Sequence, residues 1–458
     1  MDIDSQFSDQ ISLLLEPPSH VEIQEYFNEL ITFNKHANGI QVKPTNHYGK
    51  GVFAEMDFEE GDLVLKDQML VGMQHSANKV DCLVCSCCFR FIGSIELQIG
   101  RRLYLQGLGS ETHCSDMVSR HCSDMVSSDG SDMDDHLASQ KCSSPSSINK
   151  LPLPTETVES LMHEKLALPY SNEFPLPSVV NCPGGCKEVY YFLQSQCLKL
   201  LYCAKCGETN DIFLLAAKAI SSTILKYKKL KAAFSNEKMK NNISDVLGNH
   251  NFSLLLKAWK PISMGYKKRW WDCIFLPDDV DTSDEAAFRM QIRQLAFESL
   301  ELLKAAILDE ECLPLFSLEI YGHIIGMFEL NNLDLVVASP VEDYFLHIDD
   351  LPEARKKEVE EITRPILDAL EDYSICCQGT AFYPLQSCMN HSCCPSAKAF
   401  KREEDRDGQA AILACRSIKK GEEVTISYID EDLELEERRA LLADYGFNCK
   451  CSRCIEEA

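Results

Sequence analysis

Three cysteines stand within six residues near the end of this chain, as Cys449-x-Cys451-x-x-Cys454, and they limit what the rest of it can fold into. A structural zinc ion takes four ligands in a tetrahedron, so three thiolates at this spacing need a fourth from another part of the sequence. Cys393, which closes Asn390-His391-Ser392-Cys393, is the natural donor. A metal joining it to the tail clamps the two segments together and closes a pocket between them. Free cysteines are also common as small buried hydrophobes, but three so close together read better as metal ligands.

Between these segments runs Val424-Thr425-Ile426-Ser427-Tyr428, an alternating stretch after a turn at Lys420-Gly421. The pattern predicts one strand of a hairpin with the Tyr428 phenol presented at its end. Alone, such a tyrosine is ordinary half-buried packing. Far upstream, Gly49-Lys50-Gly51 precedes a β-prone run and the turn Glu59-Glu60-Gly61-Asp62, a strand-loop-strand in which backbone can approach a ligand closely. An isolated Gly-x-Gly is usually no more than a tight turn.

The chain has 458 residues, 45% apolar and 25% charged, which is ordinary globular usage for one large core or two to three smaller ones. No run approaches the length of apolar sequence needed to span a membrane, and Met1-Asp2-Ile3-Asp4 is acidic rather than a basic leader. A soluble, unsecreted protein is expected. Its 23 cysteines are odd in number and bunched into Cys-x-x-Cys pairs, so metal thiolates in a reducing compartment explain them better than disulfides. A net charge of −26 disfavours direct DNA binding and favours basic partners, although many proteins are acidic for solubility alone. The basic clusters Lys226 to Lys231 and Lys267-Lys268-Arg269 read as solvated helix or loop faces before they read as nuclear signals.

Residues 1–38 place Ile23, Tyr26, Phe27 and Leu30 on one helical face. Residues 109–150 are rich in Ser, Asp, His and Met and repeat His113-Cys114-Ser115-Asp116-Met117-Val118-Ser119 as His121 to Ser127. Such a segment cannot bury enough surface to fold and is expected to be a disordered insertion. Deleting residues 111–148 is therefore expected to leave the thermal midpoint and ligand affinity unchanged; an unfolded product would show that the segment belongs to the core. Residues 211–310 read as helical, with Phe288, Ile292, Leu295, Leu302 and Ile307 as an apolar stripe behind a cap at Ser283-Asp284. A further helix begins near Pro352 and is expected to bend or stop at Pro365, and another fills Asp432 to Asp444 with Gly446 as its C-terminal cap.

Asn390-His391-Ser392-Cys393, then Gly421-Glu422-Glu423-Val424-Thr425-Ile426-Ser427-Tyr428, then the cysteine tail, resemble in that order the SET-domain protein lysine methyltransferases. The details are similar to the SMYD-like, split-SET branch and, with no further domain after the last cysteines, to plant trithorax-related histone-lysine N-methyltransferases. The resemblance implies an α+β fold of small β-sheets with a threaded C-terminal segment. It divides the chain into an N-terminal helical segment (1–38), a first SET part (39–80), a divided MYND-like zinc module (81–206), a helical insert (207–320), a catalytic core (321–430) and a zinc tail (431–458).

By the same resemblance Tyr428 directs its hydroxyl at the transferring methyl and the substrate amine, and Gly49, Lys50 and Gly51 contact the methionine part of S-adenosyl-L-methionine. Asn390 and His391 hold the cofactor, joined by Asn331 in Glu329-Leu330-Asn331-Asn332-Leu333. Tyr445 walls the lysine channel, and Phe447 lies against the adenine. Cys82-x-x-Cys85, Cys182-x-x-x-Cys186 and Cys203-x-x-Cys206 resemble a MYND finger, whose first and third pairs share one zinc; that gives Cys82, Cys85, Cys203 and Cys206. A second finger site needs a His-x-x-x-Cys partner for Cys182 and Cys186, and none follows Cys206, so two zinc ions are expected in all.

The activity so implied is methyl transfer to a lysine ε-amine, on histone H3 or on another lysine-containing protein. The setting is the nucleus, with the cytoplasm as the other choice, transcription factors as partners, and neither DNA nor membrane bound directly. A catalytically idle scaffold whose zinc module recruits partners is the rival from another class, and Gly49, Gly51, Asn390, His391 and Tyr428, all present, speak against it. A zinc hydrolase needs an open coordination position, which all-thiolate clusters do not leave.

Overall fold

The computed structural model describes residues 3–45, 49–112, 153–179, 211–241, 247–265, 267–276, 282–370, 373–402 and 404–458. Four strands come from the first part of the chain, β1 (Ile40–Thr45), β2 (Gly49–Ala54), β3 (Leu63–Asp67) and β4 (Val71–Gln74). Six come from the last, β5 (Asn332–Ala338), β6 (Cys376–Phe382), β7 (Asn390–His391), β8 (Ala397–Ala399), β9 (Ala410–Ala414) and β10 (Glu423–Ile426). They form three small sheets of order β1-β2-β10-β7, β3-β9-β8 and β4-β6-β5. Each sheet joins strands from both ends of the sequence. The fold is α+β, as the sequence implies, and everything between β4 and β5 is an excursion from it.

The strands alternate as a half-buried surface requires. Val424 and Ile426 of β10 face Ile40, Val42, Val52 and Ala54 in one core, while Glu423 and Thr425 turn away. Over this core lies the helix His20–Phe33. Ser19 starts it with a reciprocal cap, its hydroxyl accepting the Glu22 amide at 3.3 Å while the Glu22 carboxylate accepts the Ser19 amide at 2.9 Å. Ile23 and Phe27 are buried against the sheet, with Tyr26 and Leu30 packed beside them.

The helices Asp211–Asn241, Leu247–Ser263, Glu285–Ile307 and Leu318–Asn331 build a second core around Leu215, Trp259, Leu303 and Ile324. The basic cluster on the first of them is partly spent on ion pairs, Lys228 to Asp309 at 2.6 Å and Lys231 to Glu311. The helix Glu285–Ile307 is rotated from the expected stripe: Ala296, Ser299, Leu300, Leu303 and Ile307 are buried, and Leu295 is 37% exposed. Two apolar stripes overlap on this helix. The small residues at 296 and 299 decide between them, because they allow close approach and Ser299 shares a buried 2.7 Å hydrogen bond with the Tyr321 hydroxyl.

Two further expectations change. The helix Glu353–Leu370 runs through Pro365 rather than ending there. The proline costs about 3 kcal/mol in a helix interior. Burial of Val359, Ile366 and Leu370 against Ile99, Leu103 and Tyr344 offsets it at roughly 1.5–3 kcal/mol per side chain. The helix Ile95–Thr112 also continues past residue 109, where disorder was expected to begin; the rest of that insertion, residues 113–150, lies outside the described residues. No helix among the described residues is long and apolar enough to cross a membrane.

Candidate active site

The short strand β7 lies parallel to β10, Asn390 opposite Thr425 and His391 opposite Ile426. That register brings three distant segments together. The Asn390 side-chain amide donates to the Lys50 carbonyl at 2.9 Å and to the Glu423 carboxylate at 2.7 Å, tying the glycine strand to the Asn-His pair. Glycine is required at both flanking positions for different reasons. Gly49 has φ +76°, and a Cβ on Gly51 would lie 2.6 Å from Glu423 Oε1 and 3.2 Å from Asn390 Nδ2. The Lys50 ammonium donates to the Met264 carbonyl and sits over the Phe27 ring, 5.4 Å from its centroid.

His391 is fixed at both nitrogens. Nδ1 accepts the Tyr428 amide at 3.0 Å, and Nε2 lies 3.2 Å from Cys393 Sγ, which assigns the proton to Nε2. Burial, reinforced by the nearby Arg438 cation, brings its pKa down to about 4, so the ring is neutral at pH 7. The Tyr428 hydroxyl donates to the Met389 carbonyl at 2.6 Å. Burial, with the neighbouring Tyr445 adding to it, raises the phenol's pKa and keeps it protonated. Tyr445 and Phe447 reach this point because the helix Leu435–Asp444 ends at Gly446, φ +85°, whose amide bonds the Ala443 carbonyl at 2.8 Å. Ring centroids then lie 5.2 Å apart for Tyr428 and Tyr445 and 5.9 Å apart for His391 and Phe447. Phe275 of the helical insert closes the outer side, 6.2 Å from Tyr445.

Behind the aromatic rings, the sulfurs of Cys393, Cys449, Cys451 and Cys454 all lie within 4.8 Å of one another. Four thiolates at about 2.3 Å from a shared zinc stand about 3.8 Å apart, so this cluster matches a tetrahedral site in size and chemistry. Burial would raise the Cys451 thiol, but the Cys454 amide and neighbouring thiols bring it down to about 7. Arg438 is completely buried beside the cluster, donating to the Leu433 carbonyl at 2.5 Å, pairing with Glu457, and standing 3.9 Å from Cys454 Sγ. Its charge would oppose the net negative charge that four thiolates give to a bound zinc.

The upstream cysteines are arranged differently from the pairing the sequence suggests. A hairpin bridged at Val84 and Phe91 turns Cys85 toward Cys88, not toward Cys82. The Cys88 thiol and the amides of Cys87 and Cys88 lower Cys85 to about 6 against the effect of burial. Cys82 Sγ instead donates to the Cys376 carbonyl at 3.5 Å and neighbours the Cys377 thiol. Cys182, Cys186, Cys203 and Cys206 lie outside the described residues. Asn331 ends the helix Leu318–Asn331, its amide donating to the Met327 carbonyl at 2.7 Å, and that helix packs so closely on the 265–270 segment that a Cβ on Gly326 would meet the Lys268 carbonyl at 2.0 Å.

Sequence reasoning gave no role to Glu423, Arg438 or Phe275. Only Glu423 carries a signal, since it stands in the Gly-Glu-Glu-Val run beside the residues that were singled out.

The family model for the SET domain matches residues 49–429. The chain is 58% identical to histone-lysine N-methyltransferase ATXR2 of Arabidopsis thaliana, over 99% of this chain and 98% of that protein. It is 28% identical to protein-lysine N-trimethyltransferase SMYD5 of Mus musculus over 35% of this chain and 40% of that one. With histone-lysine N-methyltransferase SET5 of Meyerozyma guilliermondii it shares 38% identity over 19% of this chain and 18% of that one.

Proposed function

We infer the function from the premise that this chain belongs to the SET-domain family: it is an S-adenosylmethionine-dependent protein-lysine N-methyltransferase, and its substrate is a histone tail. The observation that carries the reading is the meeting of Gly49 to Gly51, Asn390, His391 and Tyr428, from opposite ends of the sequence, around one β7–β10 register. The site fits the cofactor. Beside Gly49 a Cβ would meet nothing within 4 Å, so the backbone of the glycine strand is open to close approach by a ligand there. When bound, S-adenosylmethionine supplies a methyl group on a sulfonium, ready for in-line displacement.

This chain's own residues must then deliver a neutral amine. A free lysine has a pKa of about 10.4, so either the minor neutral form enters or its proton is driven off by desolvation. Tyr428, Tyr445, Phe447 and Phe275 supply the apolar walls for that desolvation. Because the Tyr428 proton is already engaged by the Met389 carbonyl, the phenol offers an oxygen lone pair, which attracts the partial positive charge of a methyl or an amine hydrogen. His391, neutral and held at both nitrogens, is a positioning residue: it fixes the turn from which Tyr428 projects. Rate comes from alignment and preorganised dipoles.

The histone reading rests on the near-full-length likeness to ATXR2, and the SMYD5 likeness favours a second reading, a non-histone protein substrate. A nuclear site of action and transcription-factor partners go with the histone reading. The test is incubation with labelled cofactor, recombinant nucleosomes and cell extract, followed by mapping of the labelled lysines. Label confined to extract proteins would overturn the histone assignment. Label on neither would overturn the activity.

Two zinc ions complete the proposal, one in the tail cluster and one in the finger, where Cys85 and Cys88 replace Cys82 and Cys85 as the first pair beside Cys203 and Cys206. Native mass spectrometry after dialysis is expected to count two per chain. Cys85→Ser should lose one and Cys82→Ala neither. Loss of a zinc in Cys82→Ala would restore the pairing that the spacing suggests.

A further inference from the structure

Asp67, the last residue of β3, carries a carboxyl group that is buried with no cation beside it. The residue is 2% exposed and makes no ion pair among the described residues. One of its oxygens instead accepts two consecutive backbone amides from the segment before β7, Leu385 at 2.8 Å and Gln386 at 3.0 Å. A buried carboxyl group held only by peptide amides is costlier than the serine or asparagine that ordinarily caps a helical turn. The turn that it holds leads directly to the reacting centre.

That turn, Gln386–Cys388, is closed by the Met389 amide, which donates to the Gln386 carbonyl at 2.9 Å, and by the Cys388 amide, which donates to the Leu385 carbonyl at 3.1 Å. Met389 then accepts the Tyr428 hydroxyl at 2.6 Å, while His391 accepts the Tyr428 amide at 3.0 Å. Tyr428 is therefore tied through its backbone and its phenol to one short segment, and a shift of that segment moves the phenol. Downstream the segment is anchored by the β7–β10 register, and upstream by the two bonds to Asp67. Hydrogen bonds to a charged acceptor are shorter and stronger than neutral ones, so a carboxylate holds the turn more stiffly than a neutral cap does.

We propose that Asp67 is a positioning residue for methyl transfer: by fixing Leu385 and Gln386 it sets where the Met389 carbonyl stands, and so where the Tyr428 oxygen points. This rests on the methyltransferase reading above and on the role given there to Tyr428. The competing account is a cap that stabilises the fold and does nothing for the reaction.

A double-mutant cycle on the full chain separates the two, with labelled S-adenosylmethionine and recombinant nucleosomes plus cell extract as substrates. Asp67→Asn keeps the size of the side chain and one acceptor oxygen but removes the charge. Single-turnover methyl transfer is expected to fall about tenfold or more, as it does when a reacting group is misplaced, with S-adenosylhomocysteine affinity within about twofold of wild type. In the Tyr428→Phe background the same substitution is expected to change the rate by less than about twofold, because the oxygen that Asp67 orients is gone. Rates are compared at about pH 9, well above the value of about 7 to which burial pushes the Asp67 carboxyl, so that the wild-type group is ionised. Should the asparagine variant not fold, Asp67→Ser, whose hydroxyl still accepts an amide, goes through the same cycle. Equal losses in both backgrounds, no loss in either, or failure of both variants to fold overturns the positioning role and leaves the methyltransferase reading standing. Wild-type protein that labels neither nucleosomes nor extract overturns both.

Discussion

Tyr428→Phe is expected to fold and to bind cofactor nearly as the wild type does, while methyl transfer falls by at least about a hundredfold. The substitution removes one oxygen. In the folded protein that oxygen makes a single 2.6 Å hydrogen bond to the Met389 carbonyl, and its loss weakens stability by about 1–3 kcal/mol at most. The ring contacts to His391, Tyr445 and Phe447 survive, so the channel walls stay where they are. At the reacting centre the same oxygen is a preorganised dipole in a site shielded from water, where one such group accounts for about two to three orders of magnitude in rate. The rate effect should therefore far exceed any change in cofactor affinity. Single-turnover transfer alongside titration with S-adenosylhomocysteine separates the two quantities. Equal turnover by mutant and wild type would remove Tyr428 from the mechanism.

Cys451→Ser is expected to lose one zinc and to reduce turnover at least as severely. The tail holds Tyr445 and Phe447 between the helix Leu435–Asp444 and the cysteine cluster, and the described tail core is small: Leu442 with the buried Cys393 and Cys454. A structural zinc contributes about 10–16 kcal/mol of apparent binding free energy at pH 7, far more than burying one leucine at roughly 1.5–3 kcal/mol. Without the metal, clustered thiols and the buried Arg438 are left to hold the segment, and both aromatic walls loosen with it. Native mass spectrometry paired with turnover checks this. A variant that retains two zinc ions, or that loses one at full activity, would show that the tail cluster is not what shapes the channel.

How much of this was legible beforehand varies with the kind of information involved. The thiolates of the tail were readable because ligand type and short spacing are local properties: Cys449, Cys451 and Cys454 lie too close in sequence to avoid one another, and a fourth ligand had to come from elsewhere. The β10 strand and the helix stop at Gly446 were readable for the same reason, since alternation and a left-handed cap are written in consecutive residues. Which cysteine faces Cys85 was not, because Cys82 and Cys88 each lie three residues from it in sequence and only the Val84–Phe91 hairpin and the β6 strand behind it separate them.

The same limit covers the helix phase, Pro365 and the buried charges. The stripe of large apolar residues on Glu285–Ile307 gives way to one that includes the small Ala296 and Ser299, and the choice falls to Tyr321, a residue of another helix. Pro365 breaks a helix by local rules, yet the packing of Ile366 and Leu370 on Ile99 and Leu103 carries the chain through. Arg438 and Lys267 look like surface cations in a linear reading and become interior ones because the tail and the helical insert fold over them. The sequence by itself determined the clustering of the tail thiols, the local elements and the motif order, all set by neighbours along the chain. Tertiary structure alone decided register, partner choice and the burial of charge, since those depend on free-energy differences between alternative contacts that a residue's neighbours along the chain do not fix.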